Sequence, residues 1–317
     1  MAKVFTTNAL IDSIKRRISM PSNQSTFTDT DILAFANEEI ALSLVPSILS
    51  LHEGHFLFEG RDPLVANKSE YRIPPRSIGN KLNELQYADT GDNRFEMTRI
   101  SVGDIPHYQG TFVEDRAYNY YVQYNRVHLI PSIGGSVSGD LLFYYFISPN
   151  EMVAESRAAI ITAIDTVTGI ITVDKIPSHF TTDIEYDLYM AESPHRHLAI
   201  NKSIVSFDTS AKTITFTAAD LPSELAVGDH ITKAEECIIP QVPADLHVLL
   251  AQYTAERLLE AQGDTQGLQN AKVKTREMEN RAGNIIDNRV DEAPQKLVNR
   301  NGSLRFGLYR RRFRRRS

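Results

Sequence analysis

The stretch Ile164-Asp165-Thr166-Val167-Thr168-Gly169-Ile170-Ile171-Thr172-Val173 returns forty-three residues later as Phe207-Asp208-Thr209-Ser210-Ala211-Lys212-Thr213-Ile214-Thr215-Phe216. Each copy reads as a strand, an Asp-Thr turn and a second strand. A Pro-Ser pair (Pro177-Ser178, Pro222-Ser223) and an acid-bearing run (Asp183, Asp229) follow each copy. Three or more such units would make a solenoid; two can only bury one shared face that neither buries alone. The repeat therefore predicts a compact duplicated β module over 150–240, inserted in a host domain.

Outward from the repeat, the pattern on the N-terminal side keeps the period of two. Tyr71-Arg72-Ile73, Leu82 to Tyr87, Arg94 to Ile100, Tyr118 to Tyr124, Arg126 to Ile130 and Leu141 to Ile147 are strand-like runs separated by turn residues, among them Thr90-Gly91-Asp92-Asn93 and Asn125. They predict an antiparallel β domain over 61–149. Before it, over 1–60, the period is helical. Leu10, Ile11, Ile14 and Ile18 share one face behind the caps Thr6 and Thr7, and Thr28 to Asp31 begins a longer helix with the stripe Ile32, Phe35, Ala36, Ile40, Leu44, Ile48 and Leu51. Pro46 predicts a kink or break near Val45. Beyond the repeat, over 241–290, Leu246, Leu249, Leu250, Tyr253, Leu258 and Ala261 predict a helix from Pro243. If Gly263 and Gly267 only bend it, it runs to Ile286, about 60 Å, which is too long to bury in one domain and leaves a part to pack on other copies. The expected fold class is α+β: a helical bundle of two N-terminal helices plus a long C-terminal helix, with the antiparallel β domain and the inserted repeat.

Composition narrows the function. The chain has 317 residues, 42% of them apolar, and one cysteine, Cys237, so neither an intrachain disulfide nor a thiolate metal cluster is expected. No apolar stretch looks long enough for a membrane span, and the first residues lack a secretory pattern, which predicts a soluble chain in the cytoplasm of its host. The net charge of −6 is the sum of two unlike parts. From Gln295 to Ser317, within a C-terminal arm over 291–317, there are nine cations and no acid, which makes +9 and leaves −15 for the preceding residues. Such a block is expected to order only against something anionic. Arg305, Phe306, Tyr309, Arg310, Arg311, Arg312, Phe313, Arg314, Arg315 and Arg316 are its candidate binding residues. Guanidinium groups for phosphate or carboxylate alternate there with rings that stack or fill pockets. Three readings stay open: a solvated tail, contact with nucleic acid, and docking on an acidic protein with Phe306, Leu308, Tyr309 and Phe313 as anchors.

Catalytic patterns are weak. His52-Glu53-Gly54-His55 places its histidines three apart, where a zinc-protease helix needs four. His195-Arg196-His197 reads as a solvated loop before it reads as a ligand pair. Gly135-Ser136-Val137-Ser138-Gly139 lacks a nucleophile at its centre, and no phosphate-binding Gly-Lys loop is present. The sequence predicts a protein that is not an enzyme, with no cofactor and no metal.

The order of the pieces resembles the head-to-tail adaptor (connector) proteins of tailed bacteriophages. The resemblance rests on the residues from Phe27 to Glu39, Tyr71-Arg72-Ile73-Pro74-Pro75-Arg76-Ser77-Ile78-Gly79, the Tyr-rich run from Tyr118 to Pro131, Tyr144 to Pro149, and Leu258-Leu259-Glu260-Ala261-Gln262-Gly263-Asp264. It covers roughly 5–149 and 240–290 and leaves the repeat outside the family pattern. It implies a virion protein of the neck or tail region that forms a homo-oligomeric ring, typically of twelve subunits, beneath the portal protein. That ring would retain genomic DNA in the capsid and give downstream tail or ring proteins a platform. The helices at 7–18, 29–52 and 243–286 would form its wall, and the Arg-rich tail would be its portal arm. Two other classes compete: a nucleic-acid-binding protein anchored by the arm, and a tail or fibre-associated β protein that binds a surface glycan, the latter weakened by the absence of Trp.

Overall fold

The computed structural model describes residues 5–20, 26–51, 53–108, 119–130, 138–193 and 195–286, and its fold is mixed α+β. Helix α1 (Thr7–Arg17) starts at Thr6, whose hydroxyl accepts from the Ala9 N–H. Helix α2 (Asp29–Glu39) starts in a reciprocal capping box: Thr28 caps the Asp31 N–H and the Asp31 carboxylate reaches back to the Thr28 N–H. Those bonds hold the Asp31 carboxyl below its ordinary pKa. The helix is not broken at Pro46; the irregularity expected near Val45 is a π turn. A π turn at Ile40–Leu44 carries α2 into α3 (Val45–Leu51), with the Val45 N–H bonded to the Ile40 carbonyl five residues back. Widening the helix just before a proline relieves the clash between its ring and the preceding turn. By length and composition Asp29–Leu51 is apolar enough to cross a membrane, contrary to the sequence reading. Its stripe (Ile32, Leu33, Ala36, Ile40, Leu44, Val45 and Ile48) is buried in the main core.

The next segment folds as β1 (Leu57–Pro63), β2 (Glu70–Arg72), β3 (Ser77–Ala88), β4 (Arg94–Glu96), β5 (Thr98–Arg99), a short helix α4 (Ile105–Tyr108), β6 (Asn119–Gln123), β7 (Arg126–Ile130) and β8 (Asp140–Ile147). These strands form two four-stranded sheets, not one: β1-β8-β3-β4, and β2-β7-β6-β5. The pairing is antiparallel except for β5 with β6. Their turns are those the residues favour. Tyr124 and Asn125 both have positive φ in the β6–β7 hairpin, and the Asp89 carboxylate accepts from the Gly91 and Asn93 N–H groups between β3 and β4. Gly139 has φ +116°, and a Cβ there would lie 2.3 Å from the Ala88 carbonyl oxygen.

A parallel pair, β9 (Glu151–Met152) with β16 (Glu236–Cys237), is the stem through which the chain enters and leaves a closed barrel. The barrel strands are β10 (Ala159–Asp165), β11 (Ile170–Val173), β12 (Glu185–Tyr189), β13 (His197–Asp208), β14 (Thr213–Phe216) and β15 (His230–Lys233), in the order β10-β11-β14-β13-β12-β15. Closure leaves no unpaired edge. The repeat forms the hairpins β10–β11 and β13–β14, which meet about a local two-fold axis. Ile171 pairs with Ile214, its own counterpart, and the Phe216 N–H bonds to Gly169 O as the Val173 N–H bonds to Lys212 O. Asp165 and Asp208 close equivalent turns by accepting backbone N–H groups two and three residues on.

Gly169 and Lys212 hold equivalent left-handed positions, at φ +74° and +54°, but a Cβ on Gly169 would lie 2.3 Å from Phe216 O. Gly169→Ala is therefore expected to cost more than about 2 kcal/mol in urea unfolding, whereas Lys212→Gly stays within about 1 kcal/mol of neutral.

The single long C-terminal helix does not form. Helix α5 (His247–Gln262) ends at Gly263, which takes φ +75° and donates to Glu260 O while the Asp264 N–H donates to Leu259 O. Asp264 then caps α6 (Thr265–Ile286) by accepting from the Gly267 N–H. The second helix folds back on the first through Ala271, Thr275, Met278 and Ala282. The Thr275 hydroxyl donates to Glu256 and the Tyr253 hydroxyl to Glu279, each at 2.8 Å. The premise for self-packing of an exposed half-helix is thereby removed.

Candidate functional site

The arm residues singled out in the sequence, Arg305 to Arg316, lie outside the described residues, as does His52. Among the described residues no group of three or more His, Cys, Asp or Glu side chains is placed to hold a metal ion. Cys237 is fully buried in the stem, which pushes its thiol far above the ordinary range, so its thiolate is not accessible at neutral pH.

What the fold does bring together is a set of polar groups where the sheets, the barrel and the helices meet. Arg76, from the Pro74-Pro75-Arg76 turn between β2 and β3, forms a two-pronged ion pair with Asp187 of β12: Nη1 to Oδ1 at 3.0 Å and Nη2 to Oδ2 at 2.9 Å. Asp187 is completely buried and also accepts from the Asn201 N–H, the Glu235 N–H and Asn150 Nδ2 at 3.0, 3.0 and 2.8 Å. Arg76 donates further to Asn150 and Asn201. A buried carboxylate with five donors and a buried guanidinium with acceptors on several sides meet the condition under which an interior ion pair is tolerated. One charge pair thus locks sheet, barrel and stem together.

The second group corrects the sequence reading directly. His195 and His197 are not on a solvated loop; they are buried, together with His230 and His247. The His195 and His247 rings lie 5.4 Å apart at 29°, and His230 lies 5.4 Å from Tyr189. His247 Nδ1 accepts from the Phe5 N–H at 3.0 Å, leaving Nε2 to donate toward Pro240 O and Val242 O. That arrangement fixes the neutral Nε2–H tautomer. Burial depresses His197, His230 and His247 to about 4. Arg76 adds to the effect on His197 and His195 to that on His247, while Asp229 partly offsets it at His230. His195 is also lowered by burial. No spacing rule would have found this cluster, because its members come from the β12–β13 loop, β13, β15 and the start of α5.

Beside the histidines a cleft of about 1250 Å³ opens between β1 and the barrel. Its walls include Phe58, Glu59 and Arg61 on one side and Arg196, Leu198 and Pro222 on the other. A second hollow of about 510 Å³ adjoins it and shares Phe58, Glu59, Arg61, Leu198 and Pro222. At the sheet wall Glu59, Arg94 and Tyr144 form a closed triangle of hydrogen bonds of 2.7 to 2.9 Å, and Glu59 raises the pKa of the Arg94 guanidinium. His195, His197 and Gln241 line this region, and among the described residues both ring nitrogens of His195 and His197, and Gln241 Nε2, have no hydrogen-bond partner.

No family model matches the chain, and no curated protein matches it.

Proposed function

We propose that the chain is a structural subunit of a head-to-tail adaptor ring, which docks beneath a portal, keeps packaged DNA in place and offers the tail its platform. The observation that carries this reading is the split of charge, a +9 arm on a −15 body. A subunit that assembles on a partner needs a terminal segment complementary to that partner. A channel that DNA must traverse should not hold phosphates tightly, and an acidic body meets that need. The buried Arg76–Asp187 pair supports this reading, since its charge is used in joining sheet, barrel and stem. In this reading α1, α2–α3 and the α5–α6 hairpin are the bundle that forms the ring wall, and the barrel is an added module on the ring.

Deleting 295–317 tests the reading. The truncated protein is expected to keep the far-ultraviolet circular dichroism spectrum of the full chain and to lose sedimentation with portal particles; normal co-sedimentation would refute it. A nucleic-acid-binding role for the same arm predicts tight binding of duplex DNA by the free protein, falling steeply between 50 and 200 mM salt as arginines release counterions. The adaptor reading expects negligible binding at both concentrations.

A further inference from the structure

The cleft is bordered by the outer edge of a sheet, because β1 pairs with β8 on one side only. The register shows which backbone groups are unused. Leu64 N–H donates to Gly139 O, and in an antiparallel ladder bonded residues alternate. Asp62, Gly60 and Phe58 therefore bond across to β8, and Leu57, Glu59 and Arg61 turn their N–H and C=O groups outward. Among the described residues none of these outward groups has a backbone or side-chain partner. Such an edge pairs readily with another chain. Here the opposite wall of the cleft, Leu198 and Pro222, stands off far enough to leave the volume described above.

We propose that this edge receives residues 304–309 of a neighbouring copy of the chain as an added β-strand. Three observations select that segment. Leu304, Phe306 and Leu308 alternate with Arg305, Gly307 and Tyr309, a period of two with one apolar face, which suits a strand lying between Phe58 and Leu198. Six residues extend about 20 Å, close to the length of the seven-residue β1. Directly after them come Arg310 to Arg312 and Arg314 to Arg316, and the sheet with its β3–β4 turn carries Glu59, Asp62, Glu84, Asp89, Asp92, Glu96 and Asp140 against Arg61, Lys81 and Arg94. With Asp62 and Asp140 beside the Pro63 end of β1, charge complementarity orients the added strand parallel to β1. The seventeen residues between Ile286 and Leu304 reach up to roughly 55 Å, enough to cross to an adjacent subunit.

The proposal rests on the adaptor reading in that copies of the chain meet, and it places residues 304–316 on the neighbouring subunit, so that the 295–317 deletion acts on portal docking through loss of the ring. It is tested without a portal. Full-length Glu59→Cys and full-length Gly307→Cys proteins are mixed and oxidised, with Val227→Cys, on an exposed barrel site, replacing Glu59→Cys as the control. The expected result is a mixed disulfide dimer from the first pair, at least tenfold more abundant than from the control. Adding Arg61→Pro, which deletes an outward N–H while leaving the β8 ladder intact, is expected to cut that yield at least tenfold, and Arg61→Ala is expected to preserve it. No mixed dimer, equal yield with the control, or a yield indifferent to Arg61→Pro would each overturn the proposal. A doubly substituted chain, Glu59→Cys with Gly307→Cys, that closes only on itself at high concentration would overturn it as well. Portal co-sedimentation of the full-length protein, measured separately, tells failure of this strand from failure of the adaptor reading.

Discussion

Asp187→Ala is expected to cost about 3–5 kcal/mol of unfolding free energy, the range found when one member of a buried ion pair is removed and the other is left behind. Arg76 keeps its charge in a site that is almost completely buried, and the N–H groups of Asn201 and Glu235 lose their acceptor. Against a total stability of about 5–15 kcal/mol for a domain, that is between about a fifth and the whole of it. Urea unfolding checks it, with Arg61→Ala as the comparison. Arg61 pairs with Asp92 and Asp140 at an exposed position, and its loss is expected to cost no more than about 1 kcal/mol. Replacing both partners, Arg76→Met with Asp187→Leu, is expected to recover only the part due to the unpaired guanidinium, because the Asn201 and Glu235 N–H groups and Asn150 Nδ2 still lack their acceptor. A single Asp187→Ala protein as stable as the parent would show that the three modules are not joined through this pair.

The second large effect is on pH. In the unfolded chain the histidines titrate near 6.5, and in the folded protein His197, His230 and His247 titrate at about 4. Between those values the unfolded chain binds more protons than the native one. Stability is therefore complete above pH 6.5 and is lost as pH falls from 6.5 toward 4, by about 3 kcal/mol for each ring at the lower limit. Three rings together approach the whole stability of a domain, so cooperative unfolding is expected between about pH 5 and 4, before most surface carboxylates are protonated. His197→Leu removes a ring with two unpartnered nitrogens. It is expected to leave the neutral-pH urea midpoint unchanged or higher and to make its acid decline about a third shallower. A midpoint that stays level from pH 7 to 4.5 would contradict the buried neutral cluster.

How far the sequence could be read depended on the range of the forces involved. Turn and cap chemistry is local, so the capping box at Thr28, the hairpin at Thr90 to Asn93 and the repeated Asp165 and Asp208 turns were legible, as was the helical period of the N-terminal segment. Barrel closure was not. It requires β12 and β15, and the run Glu185-Tyr186-Asp187-Leu188-Tyr189 carries an acid at a position that is wholly buried, which hides its burial until Arg76, more than a hundred residues earlier, is seen beside it. Gly263 is equally suited to bending a helix and to ending one. What decides is that the stripe Ala271, Thr275, Met278 and Ala282 has a face to cover on α5, a tertiary fact. The two histidines flanking Arg196 looked solvated because that arginine is, at 54% side-chain exposure. Their burial comes from β13 and α5, which the local pattern does not contain. The arm had the opposite character: its charge is plain in the sequence, and its residues lie outside the described structure.

The most direct measurement for the central claim is imaging of the full-length chain mixed with a tailed-phage portal preparation by negative-stain electron microscopy, with the 295–317 deletion in parallel. The adaptor reading predicts an extra ring of density, coaxial with the portal, from the full chain and bare portals from the truncated one. Portals that stay bare in the presence of excess full-length, folded protein would contradict it.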